Sequence, residues 1–300
     1  MKIDDINAFV AVVRNQSVSA AADALGLTQS AITRRLQSFE TDLGAELLDR
    51  SVKPPRPNAM GRTVFEQCGK VLLEVERLRG LVQAGHAPTG LFRIGLIQTI
   101  GDVVLLDTLQ RLNSRFPGLH TEVASGWGAQ LVGQVEHGEV DAAVALFPTT
   151  KVLPQGLSGR TLGRIELAVV AQKGAMPRRG YRLRDCYDTG WVLNPDGCGF
   201  RAGLERALNE QGLSFKVKLE TFGADLQLSL VAKGMGLGLM PLPILERSPH
   251  REKLDILKVA DFKPVLDIWL IQAPLPEALQ QAVDFLADSV EQAFAAPARD

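Results

Sequence analysis

Cysteine is scarce in this chain. Cys68, Cys186 and Cys198 are odd in number, widely spaced and form no CxxC pair, so neither a disulfide framework nor a redox pair of the usual spacing is encoded. The four histidines, His86, His120, His137 and His250, are scattered. A structural zinc site would have no ligand cluster to draw on, and no metal or cofactor is expected. Long apolar runs are missing too. The longest in the C-terminal half, GLGLMPLPIL (236–245), is short and holds two prolines, which excludes a membrane-spanning helix there. The start, MKIDD, carries acids where a signal peptide would place positive charge before an apolar run, so a cytoplasmic location and no membrane partner are expected.

Charge of one sign is equally lacking. The formal net charge is −1, and residues 1–62 hold eight Lys and Arg against seven Asp and Glu. Bulk electrostatics therefore make no case for nucleic acid, and any such case must come from motif and geometry. No Ser/His/Asp arrangement with a nucleophile elbow and no paired-carboxylate motif is present. GMGLGLMP lacks the Lys-Ser/Thr that would make it a phosphate loop. No enzyme is expected, although an α/β sheet does not fix function.

What is present begins with Ser17–Glu40, SVSAAADALGLTQSAITRRLQSFE. It reads as two short helices around a tight turn. Ser19 is expected to cap the first and Thr28 the second by accepting backbone N–H bonds, and Gly26 supplies the turn. On the second helix Ile32, Leu36, Phe39 and Leu43 form one apolar stripe. Ser30, Thr33, Arg34, Gln37 and Thr41 fall on the opposite face, a set of hydroxyl, amide and guanidinium groups suited to phosphates and base edges. Small residues (Ala20, Ala21, Ala22, Ala24 and Ala31) allow close helix approach. The combination is a helix-turn-helix.

Around it, Ile6, Phe9, Val10 and Val13 predict a supporting helix over 4–14. AELLDRSVKPPRPNAMG (45–61) has three prolines and several basic residues, which suggests a wing lying along phosphates. One long helix follows from Ala59 to about Ala84. Its Val64, Cys68, Val71, Val75, Leu78 and Val82 make a heptad seam that implies a homodimer. GHAPTG (85–90) reads as a hinge. Beyond it strands and helices alternate: LFRIGLI, a helix over Val103–Phe116, LHTEVAS, a helix over Trp127–His137, VDAAVALF, ELAVVAQ, GWVLN, KVKLETF, LGLMP, LDIWLIQ, and a last helix from Pro276 to about Phe294. This argues a mostly parallel α/β sheet.

SVSAAADALGLTQSAITRRLQSFETDLGAELLDR resembles the signature of the LysR-type transcriptional regulators in its AA pair, TQSAIT, the following LG, and LLDR before the wing. FPGLHTEV (116–123), GEVDAAV (138–144) and LVAKGMGLGLMP (230–241) carry the likeness along the chain. Pro57 and Asn58 stand where the family usually has Leu-Thr; Asn58 can still cap the next helix, and Pro57 stiffens the wing. The resemblance implies an all-α winged helix-turn-helix over 1–58, a linker and dimerisation helix over 59–84, and an α/β effector domain over 91–300 with the fold of type II periplasmic binding proteins. Its two subdomains would comprise about 91–162 with 268–300, and about 163–267.

By the same resemblance the partners are double-stranded promoter DNA, a small-molecule effector (an organic anion among the candidates), RNA polymerase, and further copies of the chain in a dimer of dimers. DNA contacts fall on Thr28, Gln29, Ser30, Thr33, Arg34, Arg50, Lys53 and Arg56. Effector contacts fall on Gln98, Thr99, Ile100, Trp127, Phe147, Asn194, Cys198, Arg201 and Phe222, at strand ends and helix starts where free N–H groups favour anions. Trp127 replaces a small hydroxyl residue and would narrow the pocket or favour a planar ligand. The segment around Cys198 is also similar to that holding the peroxide-reactive cysteine of redox-sensing members. Their resolving cysteine is absent here, since Ala207 and Leu208 occupy that region, but Cys186 lies twelve residues upstream. A thiol-based redox regulator is therefore the alternative reading, with a solute-binding or enzymatic α/β protein behind it.

Overall fold

The computed structural model describes residues 1–82, 87–177, 180–195 and 197–295, with backbone alone for 73, 76–77 and 79–82. Ala84, Gly85 and His86, at the expected end of the linker helix and start of the hinge, lie outside the described residues. So does the side chain of Val82. The chain divides into an N-terminal helical unit and a C-terminal α/β unit that begins at Ala87.

The N-terminal unit consists of α1 (Ile3–Asn15), α2 (Val18–Leu25), α3 (Gln29–Leu43), β1 (Leu48–Asp49), β2 (Arg56–Pro57) and α4 (Ala59–Val82). Its core joins Ile6, Phe9 and Val10 of α1, Ala21 and Ala22 of α2, and Ile32, Leu36 and Phe39 of α3. The rings of Phe9 and Phe39 lie 5.4 Å apart. Leu43, expected on the same stripe, is exposed, because Gly44 ends α3 in a left-handed cap just beyond the core. The cap of α2 is Ser17 and not Ser19: Ser17 accepts from the Ala20 N–H at 3.2 Å, while Ser19 lies inside the helix. Thr28 caps α3 through the Ala31 N–H at 3.2 Å. At Gly26 φ is +62°, a region costly for any residue with a Cβ.

β1 and β2 form a two-residue antiparallel ladder, Leu48 opposite Pro57 and Asp49 opposite Arg56. Asn58 caps α4 by accepting from the Gly61 N–H at 2.8 Å, and its own amide donates to Glu46 O at 2.8 Å. The apolar seam of α4 is divided. Val64 and Cys68 pack into this unit's own core together with Phe65 and Leu72, whereas Val71 and Leu78 are exposed. Periodicity alone cannot distinguish these two fates, because both require an apolar residue every three or four positions.

The C-terminal unit runs β3 (Gly90–Leu96), α5 (Gln98–Arg115), β4 (Leu119–Ser125), α6 (Gly128–Glu136), β5 (Ala142–Phe147), β6 (Ser158–Gln172), β7 (Trp191–Leu193), α7 (Gly199–Asn209), β8 (Val217–Glu220), α8 (Ala224–Ala232), β9 (Gly238–Pro241), α9 (Leu242–Arg247), β10 (Leu254–Leu257), β11 (Val265–Gln272) and α10 (Glu277–Phe294). β3 pairs in parallel with β4 and β5, and β7 with β8. β11 is antiparallel to β5 and β6, and β6 is antiparallel to β9 and β10. The sheet is thus mixed, a correction to the mostly parallel expectation. Alternation along the chain cannot reveal that two long strands cross back.

β6 pairs with β11 up to Glu166 and with β9 from Leu167 onward, so this one strand joins both halves of the sheet. Asp141, buried at the start of β5, accepts from the Arg93 backbone N–H at 2.7 Å and from its guanidinium at 2.7 and 3.3 Å. The Asp of GEVDAAV is therefore a clasp between β3 and β5.

Candidate DNA-contact face and effector cleft

On α3 the residues Gln29, Ser30, Thr33, Arg34, Gln37 and Thr41 are all exposed. The core side of the helix consumes Ile32, Leu36 and Phe39, so the polar side is left to solvent. Two local bonds order its N-terminal end. The Gln29 amide donates to Ser19 Oγ at 3.0 Å, and the Thr28 and Ser30 hydroxyls lie 3.0 Å apart. The basic residues divide by partner. Arg35 is paired with Asp4 at 3.2 Å and Arg50 with Glu40 at 2.6 Å, while Arg62 donates to Pro57 O at 3.0 Å. Arg34, Lys53 and Arg56 are exposed and have no partner among the described residues. The pairing of Arg50 alters its reading: part of its guanidinium is committed to Glu40 before any ligand arrives.

In the α/β unit, α5, α6, α7 and α8 all begin at one cavity, contributing Gln98, Gly128, Gly199 and Ala224 to its wall. The N-caps of α5 and α8 are Ile97 and Gly223, which have no side-chain acceptor. No side chain therefore caps their first turns, although the Ile100 N–H donates to Ile97 O at 3.0 Å, and partial positive charge gathers on that wall. The cavity encloses about 40 Å³, room for a few waters. A second cavity of about 520 Å³ shares Gln98, Asp102, Gly223 and Ala224 with it.

Five of the nine expected effector residues meet in the smaller cavity: Gln98, Thr99, Trp127, Asn194 and Cys198. The other four do not. Ile100 is fully buried in the core, because α5 starts at Gln98, five residues earlier than Val103, and turns Ile100 inward. Phe147 packs beneath the first residue of α6, close to Gly128, and Leu146 faces the cavity in its place. Arg201 turns away to Glu220 at 2.6 Å and Asn194 O at 3.4 Å. Phe222 is exposed and lines the larger cavity.

Sequence reasoning missed Asp102, Gln227 and Met240. Asp102 is discoverable, since it follows Gln98 by one helical turn once α5 is started correctly. Gln227 is buried and donates to Val192 O at 2.9 Å; its signal is a lone amide in an apolar run. Trp127 lies against Gly197, where φ is +96° and a Cβ would come within 3.0 Å of the indole, so the tryptophan forms one wall only because that position carries no side chain.

The side chains add acceptors to the N–H donors of the helix starts. Asn194 Oδ1 is buried with no partner among the described residues, while the Asn194 side chain favours the Cys198 thiolate. Asp102 is the one charged side chain among the described lining residues. Partial desolvation at the cavity wall holds its carboxyl above the ordinary 3.8, although the residue as a whole is exposed. Burial also pushes up the Cys198 thiol, against the backbone N–H groups of Arg201 and Phe200 that favour its thiolate. Cys186 is fully buried and is pushed up to about 11 by burial, then by Asp185 and Asp261. Both are free thiols. A peroxide-reactive cysteine requires the opposite shift.

Comparison with known proteins agrees with this architecture. Residues 3–62 match the family described as "Bacterial regulatory helix-turn-helix protein, lysR family", and residues 85–291 match "LysR substrate binding domain". The transcriptional regulator CzcR of Bacillus cereus is 27% identical over 241 residues, 80% of each chain. YofA of Bacillus subtilis (strain 168) is 25% identical over 271 residues, 90% of this chain and 92% of that one. Among solved structures, a full-length OxyR variant from Pseudomonas aeruginosa superposes with a TM-score of 0.78 at 18% identity, covering 97% of this chain and 94% of its own. CbnR complexed with its target DNA gives 0.59 at 18% identity, covering 96% and 100%; at such identity these two likenesses show the fold. No helix among the described residues is long and apolar enough to cross a membrane. The chain belongs to the LysR family: it is a transcriptional regulator with a helix-turn-helix DNA-binding domain and a substrate-binding domain.

Proposed function

We propose that this regulator reads a promoter sequence as a dimer and is switched by a small organic acid held in the cleft of its α/β unit. Gln29, Ser30, Thr33 and Arg34 of α3 enter the major groove, Thr28 holds the first turn against the backbone, and Lys53 and Arg56 of the wing contact phosphates. The exposed apolar half of the α4 seam, Val71 and Leu78, supports pairing of two linker helices. A dimer of dimers, a contact with RNA polymerase, a cytoplasmic setting and the absence of catalysis complete the reading. We divide the effector domain into 91–162 with 268–300 and 163–267, with β6 and β11 as the crossover strands.

One observation carries the effector assignment: four helices begin at a single cavity, and three of them, α5, α7 and α8, lack a side-chain cap bond. Such a wall favours an anion. Asn194 Oδ1 and Asp102 add acceptors, which favours an acid that also bears hydroxyl or ammonium donors. A volume of about 40 Å³ admits no such molecule, so binding requires the walls to separate, or to close from a wider state. The effector acts by preferring one of these arrangements.

The test is thermal unfolding of the full chain against hydroxy acids, amino acids and aromatic acids. A ligand at 100 times its Kd adds about 2.7 kcal/mol, or about 5–10 °C for a domain of this size. Asn194→Ala should abolish the shift. A panel without any response, or a response that survives both Asn194→Ala and Gln98→Ala, refutes this site.

A further inference from the structure

Glu40 accepts three hydrogen bonds within the DNA-binding unit, two from backbone N–H groups and one from Arg50. Its side chain is 11% exposed. Oε1 accepts from the backbone N–H of Leu47 at 2.8 Å and of Leu48 at 3.3 Å, and Oε2 accepts from Arg50 at 2.6 Å. These three donors belong to the segment that opens the wing, and Leu47 and Leu48 are themselves buried in the core. One carboxylate on the recognition helix thus fixes both the start of β1 and the direction of Arg50.

A carboxylate near a phosphate-binding face opposes binding. Fold stability alone would be served as well by a neutral acceptor for the two N–H groups. The ionic form adds one thing: it occupies Arg50. An arginine released at the wing base would reach any phosphate within range and strengthen binding to all sequences alike.

We propose that Glu40 is a positioning residue for sequence discrimination. It sets the spacing between the base-reading face of α3 and the wing, and it withholds Arg50 from sequence-independent phosphate contact. This rests on the reading that α3 and the wing together meet DNA. Arg50 then acts through Glu40, as part of the brace.

Glu40→Gln is the informative variant, since the amide oxygen can still accept from Leu47 and Leu48 while the amide no longer pairs with Arg50. Binding of the full chain to its upstream DNA and to a scrambled duplex is measured across a salt series. Glu40→Gln should tighten binding to the scrambled duplex, steepen the salt slope by up to about 1.8 for a dimer, and lower the ratio of specific to scrambled affinity. Arg50→Ala in the native background should leave the slope nearly unchanged, and in the Glu40→Gln background it should cancel the steepening.

A slope that falls by about 1.8 with Arg50→Ala alone makes Arg50 an ordinary phosphate ligand and overturns the proposal. Equal loss on both duplexes with Glu40→Gln, at unchanged slope, assigns Glu40 to fold stability and overturns it as well. If Glu40→Gln fails to fold, Arg50→Ala and Arg50→Lys decide by their slopes alone. Failure of the underlying DNA reading looks different, because Arg34→Ala and Lys53→Ala would then also change nothing.

Discussion

Lys53→Ala offers the most quantitative check on the DNA-contact face. Of the basic residues there, Arg35, Arg50 and Arg62 have intramolecular partners, which leaves Arg34, Lys53 and Arg56 available. Arg34 is assigned to base edges, so the phosphate contacts are Lys53 and Arg56, and a dimer presents four such cations. At about 0.9 counterions released per neutralised phosphate, the slope of log K against log salt is about −3.6. Raising salt from about 50 to about 200 mM should therefore weaken binding by about 10². Lys53→Ala removes two of the four cations and should bring the slope to about −1.8, equally on specific and scrambled duplexes, because a phosphate contact carries no sequence information. Fluorescence anisotropy with a labelled duplex at four or more salt concentrations measures this directly. A variant whose slope stays at the native value removes Lys53 from the interface. A native slope near about −1 would mean that the sorting of free from paired cations is wrong.

Arg34→Ala should behave differently, relaxing preference at one or two base positions at a cost of about 1–3 kcal/mol per lost bidentate contact; binding-site selection on a randomised duplex reads it, and a uniform loss would place Arg34 on phosphate. Asp141→Ala removes the acceptor of three Arg93 bonds in a buried clasp and should destabilise the α/β unit by about 3 kcal/mol in urea unfolding, with a loss under about 1 kcal/mol counting against the clasp. Asp102 holds its proton longer in the folded chain than in the unfolded one, so it lowers stability as pH rises through its raised pKa and has no effect below the ordinary 3.8. Asp102→Asn should therefore raise Tm slightly at pH 7 and lose that advantage toward pH 4; a constant difference across this range would show that ionisation is not the cause. Leu78→Glu places charge on the exposed half of the linker seam and should shift the chain toward monomer in sedimentation, while an unchanged mass would put the dimer contact elsewhere.

Much of the DNA-binding unit can be read before any coordinates, because its determinants are local. The cap of α3 at Thr28, the turn at Gly26 and the stripe of Ile32, Leu36 and Phe39 each depend on residues within one or two turns of one another. Asn58 is identifiable as the cap of α4 for the same reason. Ser17 is the exception: two serines compete at the start of α2, and the choice depends on where α1 delivers the chain. The proposed effector cleft is legible only in part. Gln98, Thr99, Trp127, Asn194 and Cys198 follow from strand ends and motif positions, whereas Ile100 and Phe147 are lost through the phase of α5 and the facing of β5.

Composition and periodicity by themselves determined a helix-turn-helix, a long amphipathic helix and an alternating α/β region, since each is a repeating pattern that survives without partners. Tertiary structure decided which side of each pattern is spent on the core. It divided the α4 seam between the unit's own interior and an exposed remainder, and it bound Arg50 to Glu40 ten residues away. It also ran β11 antiparallel to β6, two strands far apart in the chain. Packing of this kind depends on where the chain returns in space. Pairing between distant segments leaves no periodic trace along a single sequence, and that is why the cleft, unlike the recognition helix, had to be seen folded.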